Sequence, residues 1–221
     1  MSTIASDSNK VQVQSGEKSF TLLQAIAVIL VSATVFVAAG FLVGKTFFWK
    51  SVEDNRIEQQ LAYYKAKTEA EPKVAENRVN LGYTYYLKGE HTQALQQLQI
   101  AVSIDPKFAD AYYNIGLVYN EMKRYDEALE AFSKAAKQAP RDYKHYLMMG
   151  VIYNNQGDHK SAVTALNRAN QEKPGSADVI YQIGVAAEKS GDKEGAIELY
   201  QSALKYDPNY QEAKDALAKL K

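Results

Sequence analysis

The five prolines of this chain stand at residues 72, 106, 140, 174 and 208, a constant step of 34. Proline lacks an amide hydrogen and clashes with the preceding turn, so it ends helices. Five such stops at one period cut most of the chain into equal units. A period of about 20 to 50 residues marks a supersecondary unit that cannot bury its apolar face alone and stacks on copies of itself. Such a chain grows as a row of units instead of closing around one core.

Numbering each unit from 1 to 34 gives four full copies, 75–108, 109–142, 143–176 and 177–210. Position 8 is Gly82, Gly116, Gly150 and Gly184, position 20 is Ala94, Ala128, Ala162 and Ala196, and position 27 is Ala101, Ala135, Ala169 and Ala203. Glycine inside a helix costs about 1 kcal/mol relative to alanine. Its recurrence at one slot therefore needs a compensating gain, and close approach of two helices supplies one. Larger residues fill the space that remains: Leu81, Ile115, Met149 and Ile183 at position 7, and Leu98, Phe132, Leu166 and Tyr200 at position 24. Gly89, Gly157 and Gly191 fall between the two helices, where a left-handed residue is required.

This pattern closely resembles the tetratricopeptide repeat, whose units are helix–turn–helix with Leu-Gly and Tyr in the first helix and Ala, Phe, Ala and Pro through the second. Tyrosine holds position 11 as Tyr85, Tyr119 and Tyr153, but the fourth unit has Ala187 there. The tryptophan slot, position 4, holds Arg78, Tyr112, Tyr146 and Ile180, which makes unit one the weakest match and implies looser packing there. The resemblance implies an all-α solenoid. Solenoid ends need caps. At the C-terminal end Tyr210, Ala213, Leu217 and Leu220 recur at helical spacing, and 211–221 reads as a capping helix. At the other end 45–74 reads as a degenerate half-unit, with Leu61, Tyr63 and Tyr64 as its apolar residues, packing on unit one.

Ahead of the repeats, 20–44 contains no charged residue and is bracketed by Lys18 and Lys45. At about 1.5 Å per residue it covers the roughly 30 Å hydrocarbon core of a bilayer. Phe47, Phe48 and Trp49 supply aromatic rings suited to the headgroup level. A single transmembrane helix is expected, preceded by a disordered tail over 1–19; a cleaved signal peptide is the alternative, although its apolar core should be only about 7 to 15 residues. Lys10 and Lys18 with the terminal amine balance Lys45, Lys50 and Arg56, so the positive-inside count does not fix the orientation. Analogy with bacterial single-pass anchors favours repeats outside the cytoplasm, with the cytoplasm as the alternative.

Lysine plus arginine and aspartate plus glutamate both total 26, which argues against a nucleic-acid footprint. Without cysteine there is no disulfide, thiolate metal site or cysteine nucleophile. Asp158, His159 and Ser161 are sequence neighbours at a turn, which does not supply the hydrogen-bonded geometry of a triad. No catalytic residue, metal ligand, cofactor or small-molecule substrate is expected.

Protein binding remains. In the resembled family the first helices line a concave groove, with positions 2, 5, 6, 9, 12 and 13 facing the ligand. Carried over, these positions assign Tyr83 and Tyr86 in unit one, Tyr113, Asn114, Leu117 and Asn120 in unit two, Leu147, Met148, Val151 and Asn154 in unit three, and Tyr181 and Gln182 in unit four. The alternative for any one of the apolar positions is that it completes the packing between units. The carboxylate clamp of some family members is not reproduced: its slots hold Val79, Tyr83, Asn114, Lys144 and Met148, of which only Asn114 and Lys144 match. The expected function is a membrane-anchored scaffold or assembly factor that binds a segment of another protein, with a structural subunit of a larger membrane complex or homo-oligomer as the alternative. An apolar, aromatic floor implies binding that depends weakly on salt.

Overall fold

The computed structural model describes Val31 and residues 49–220. The expected tail and transmembrane segment lie outside the described residues, apart from Val31. Among the described residues no helix is long and apolar enough to cross a membrane. Residues 54–220 form an all-α solenoid, the first of whose helices begins a few residues earlier. Its helices are α1 (Trp49–Ala70), α2 (Ala75–Leu87), α3 (His91–Ile104), α4 (Ala109–Glu121), α5 (Tyr125–Gln138), α6 (Tyr143–Gln156), α7 (His159–Glu172), α8 (Ala177–Lys189), α9 (Lys193–Tyr206) and α10 (Gln211–Leu220).

Each second helix ends just before its proline. In two of these turns an aspartate precedes the proline and its side chain ties the turn: Asp105 Oδ1 accepts from the Lys107 amide and Asp207 Oδ1 from the Asn209 amide, both at 2.9 Å. Tyrosine at position 4 adds a link between units, with the Tyr112 hydroxyl donating to the Pro106 carbonyl at 3.1 Å and that of Tyr146 to Pro140 at 3.2 Å.

The core explains the glycines. A Cβ on Gly82 would lie 2.7 Å from Leu98 Cγ, on Gly116 2.7 Å from Phe132 Cε1, and on Gly184 2.7 Å from Tyr200 Cε1; Gly150 is likewise covered by Leu166. The residue at position 24 thus lies in the space that the missing side chain of position 8 leaves open. All four position-24 side chains and the alanines at positions 20 and 27 are fully buried. Unit one buries Ala94, Leu98 and Ala101 as completely as the other units bury their counterparts, so the looser packing expected from Arg78 is not seen at these positions. Arg78 lies across the helix pair and Nη1 donates to Gln97 Oε1 at 2.8 Å.

The turn glycines take left-handed φ values of 79° at Gly89, 81° at Gly157 and 94° at Gly191. The second unit adopts the same turn with Lys123 at φ 58°, a conformation that costs a side-chain-bearing residue about 1 to 2 kcal/mol.

Helix α1 packs on unit one through Ile57, Leu61 and Thr68, which are buried. Tyr63 does not belong to that face: it is 58% exposed. The reason is helix periodicity. Ile57, Leu61 and Thr68 recur at spacings of four and seven residues and share one helix face, and Tyr63, two residues from Leu61, falls on the far side. Glu71 Oε2 accepts from Asn77 Nδ2 at 2.7 Å, Glu58 pairs with Lys88 at 2.9 Å, and the Lys65 ammonium lies 5.5 Å from the Tyr85 ring centre. At the other end Ala213 and Leu217 of α10 are buried against Ile180, Ala196, Tyr200 and Ala203.

Candidate partner-binding groove

Helix α2 lies close to α4, and α6 to α8, whereas successive second helices make no comparably close approach. In the α2–α4 and α6–α8 pairs the first helices touch while the second helices splay, which puts the first helices on the inner side of those two junctions. The resemblance assigns positions 5, 9 and 12 of the first helices to that concave side; Val79 at position 5 and Asn154 at position 12 are buried instead.

At its N-terminal end the groove is aromatic. Tyr83 is 41% exposed and its ring stacks on that of Tyr86 with centroids 5.9 Å apart. Tyr113 is half-buried, its ring 5.5 Å from Phe132 and 5.4 Å from His145. Burial pushes the Tyr113 phenol up to about 12, with the Asp142 carboxylate adding to the effect. The Tyr86 phenol is raised by burial and then by Glu121. These hydroxyls therefore stay protonated and can donate to a backbone carbonyl of a bound segment. Asn114 spends its Nδ2 on the Asp110 carbonyl of its own helix at 2.7 Å. Leu117 and Met148 lie half-buried over the Ala128, Phe132 and Ile152 cluster, and Asn120 is half-buried at the end of α4.

Toward the C-terminal end, Leu147 packs against Ala162, Leu166 and Ala186, and Val151 is half-buried. Asn154 departs from its expected role. It is 2% exposed, and Nδ2 donates to the Gln182 carbonyl at 3.1 Å, so it joins unit three to unit four instead of facing a ligand. Lys189 reinforces the same junction, Nζ donating to the Asn154 carbonyl at 3.0 Å. Gln182 keeps a half-buried side chain beside this link. Tyr181 sits with its ring 5.3 Å from Tyr200 and 5.3 Å from Tyr210. The Tyr200 hydroxyl donates to Glu188 Oε2 at 2.5 Å.

Two features were not anticipated from the sequence. His145 is 1% exposed, and neither ring nitrogen has a hydrogen-bond partner; Asp142 Oδ2, at 3.9 Å from Nε2, is too far. The signal was present at position 3, where His145 stands in the slot that Ala111 and Val179 fill as buried apolar residues. The second feature is α10, which extends the groove as well as capping it. Glu212, Asp215, Ala216 and Lys219 of α10 line one pocket with Tyr181, Val185 and Glu188. On the opposite side, where Ala187 replaces the tyrosine of position 11, a cleft lies between α7 and α8 against Val163, Thr164 and Ile183.

The turn neighbours Asp158, His159 and Ser161 form no triad. Asp158 caps α7, its Oδ1 accepting from the Ser161 backbone amide at 3.0 Å, and hydrogen bonding to Ser161 holds its carboxyl below the usual range. Among the described residues no group of three or more His, Asp or Glu side chains is placed to hold a metal ion.

The geometry agrees with comparisons to known proteins. A family model described as TPR repeat matches residues 82–123, and models described as tetratricopeptide repeat match 109–142 and 154–220. No curated protein sequence matches the chain. Among solved structures, a crystal structure of MamA superposes with a TM-score of 0.62 at 26% identity, over 75% of this chain and 95% of that one. YrrB, described as a TPR protein with an unusual peptide-binding site, superposes with a TM-score of 0.60 at 23% identity, over 75% of this chain and 85% of its own. TTC0263 of Thermus thermophilus, a thermophilic TPR protein, gives 0.63 at 19% identity, over 77% of this chain and 93% of that one. The latter two likenesses concern the fold alone. Tetratricopeptide-repeat proteins as a group mediate protein–protein interaction and bind peptides, and are generally not enzymes. With the repeat profile matched in tandem along α2 to α10 and the position-8 glycine under the position-24 side chain in every unit, this chain carries tetratricopeptide repeats.

Proposed function

We propose that this protein is a membrane-anchored scaffold or assembly factor that holds an extended or helical segment of a partner protein in the concave groove, and that it catalyses no reaction. One observation supports the reading: Tyr83, Tyr86 and Tyr113 come from two successive first helices, with the Tyr83 and Tyr86 rings stacked and Tyr83 41% exposed. Tyrosine supplies large contact area at low entropic cost, and exposed aromatic clusters of this kind mark interfaces. Leu117, Leu147, Met148, Val151 and Tyr181 continue the floor. The anchor is 20–44, whose uncharged run is long enough to span a bilayer.

The groove is tested by capture of the partner from detergent-solubilised membranes. Tyr83→Ala, at an exposed ring, should weaken capture roughly tenfold or more at an unchanged melting temperature. Tyr113→Ala should weaken it as well, but with some loss of stability because its ring supports Phe132 and His145. Glu130→Ala and Lys137→Ala, on the second helix of unit two, should leave capture intact. Full capture by Tyr83→Ala and Tyr113→Ala, with loss in the second-helix pair, would overturn the groove assignment. Anchoring is tested separately: the cysteine-free chain carrying Gln201→Cys should fractionate with membranes and react in intact cells with a membrane-impermeant thiol reagent if the repeats lie outside.

A further inference from the structure

The charge of the concave face is not uniform, and its uneven end lies where α10 joins the groove. Tyr181, Val185 and Tyr200 form an apolar and aromatic floor, and Glu188, Glu212 and Asp215 stand around it in a pocket of about 340 Å³. Lys189 and Lys219 also border the pocket, so its lining carries three carboxylates against two ammonium groups. The Lys189 ammonium is directed to the Asn154 carbonyl at 3.0 Å, and no lysine or arginine pairs with Glu188, Glu212 or Asp215 among the described residues. Glu188 accepts the Tyr200 hydroxyl and Asp215 accepts from Gln211 Nε2 at 2.8 Å, both neutral donors.

The neighbouring phenols register the same field. Tyr181 is raised by burial and then by Glu212, Glu188 and Asp215, and Tyr210 is pushed up to about 12 by burial and then by Glu212 and Asp178. We infer that this end of the groove takes a lysine or arginine side chain of the bound segment, which therefore combines apolar anchors for the central floor with a basic residue at the α10 end. A cation over the Tyr181 face gains from the ring quadrupole as well as from the carboxylates. The groove is therefore not salt-indifferent as its central residues alone imply. The inference rests on the concave face being the binding surface.

The test is selection from a random peptide library displayed on phage, with the full chain in detergent as bait, followed by fluorescence polarisation on the selected peptides. Selected peptides should be enriched in arginine or lysine beside aliphatic and aromatic residues, and their affinity should fall as salt rises. Glu212→Gln with Asp215→Asn, two exposed sites, should weaken binding about tenfold without lowering the melting temperature. Replacing the basic residue of the peptide by norleucine should cost the same factor against the native chain and nothing further against the double variant. Peptides that lose binding with Tyr83→Ala, yet are neutral or acidic or indifferent to the double variant, would overturn this inference while leaving the groove intact. Peptides indifferent to Tyr83→Ala, or no selected peptide at all, would overturn the groove reading and this inference with it.

Discussion

Asn154 of the third repeat donates its side-chain amide to the backbone carbonyl of Gln182 in the fourth, at 3.1 Å, beneath the floor of the groove. The bond replaces contact with a ligand by contact between units, and it leaves Asn154 Oδ1 buried without a partner. Removing a buried hydrogen bond of this kind costs about 1 to 3 kcal/mol. Asn154→Ala should therefore lower stability by about that amount, and hydrogen exchange should show α8 to α10 opening before α2 to α5. Protection unchanged across the junction would show that apolar packing alone holds units three and four together.

The position-8 glycines should resist the substitution that ordinarily improves a helix. Alanine gains about 1 kcal/mol in helix propensity, but at Gly116 its methyl would lie 2.7 Å from the fully buried Phe132 ring. Overpacking of this kind costs about 1 to 3 kcal/mol. Gly116→Ala should be destabilising in urea titration, and a gain in stability would refute the close-packing account.

At the turn between α4 and α5 the opposite is expected. Lys123 has φ 58° where the other three repeats have glycine. Lys123→Gly removes the left-handed strain and should raise stability by about 0.5 to 1 kcal/mol after the entropic cost of glycine. Gly157→Ala, which has open space around a built Cβ but φ 81°, should lose about 1 kcal/mol. Thermal melts of the two variants should move in opposite directions.

His145 makes stability depend on pH. Burial lowers its pKa from the ordinary 6.5, with Asp142 and Asp110 opposing and Lys144 reinforcing the shift. The unfolded chain then binds a proton that the folded one does not, so the contribution is complete above about pH 6.5 and is lost as pH falls toward and through the folded value. Tyr113, the ring against His145, stays neutral over this range because burial pushes it up to about 12. His145→Val, matching Val179 in the next repeat, should flatten the fall in melting temperature between about pH 7 and pH 5 and should not destabilise at neutral pH. An unchanged pH profile would assign the acid sensitivity to the carboxylates instead.

Much of the solenoid was legible because the information is local and repeated. The proline step fixes where second helices end, and glycine at position 8 facing a large residue at position 24 fixes how the two helices of a unit meet. Lys123 was less legible, because a turn that three repeats build with glycine is imposed on the remaining one by packing on both sides. The exposure of Tyr63 follows from helix periodicity: Ile57, Leu61 and Thr68 recur at spacings of four and seven residues on the buried face, and Tyr63, two residues from Leu61, falls on the far side.

Sequence by itself determined the unit, its internal helix pair and the inward alanines, since each depends on residues less than one period apart. Tertiary structure decided what happens between units. Asn154 meets Gln182 across 28 residues of chain, and Tyr113 meets His145 across the repeat boundary. The carboxylates of α10 gather beside Tyr181 only because the terminal helix stacks as the first helix of a further unit would. The physical reason is that the 34-residue period sets which residue types recur, whereas the offset between stacked units sets which of them touch, and that offset depends on the sum of all side chains at the junction.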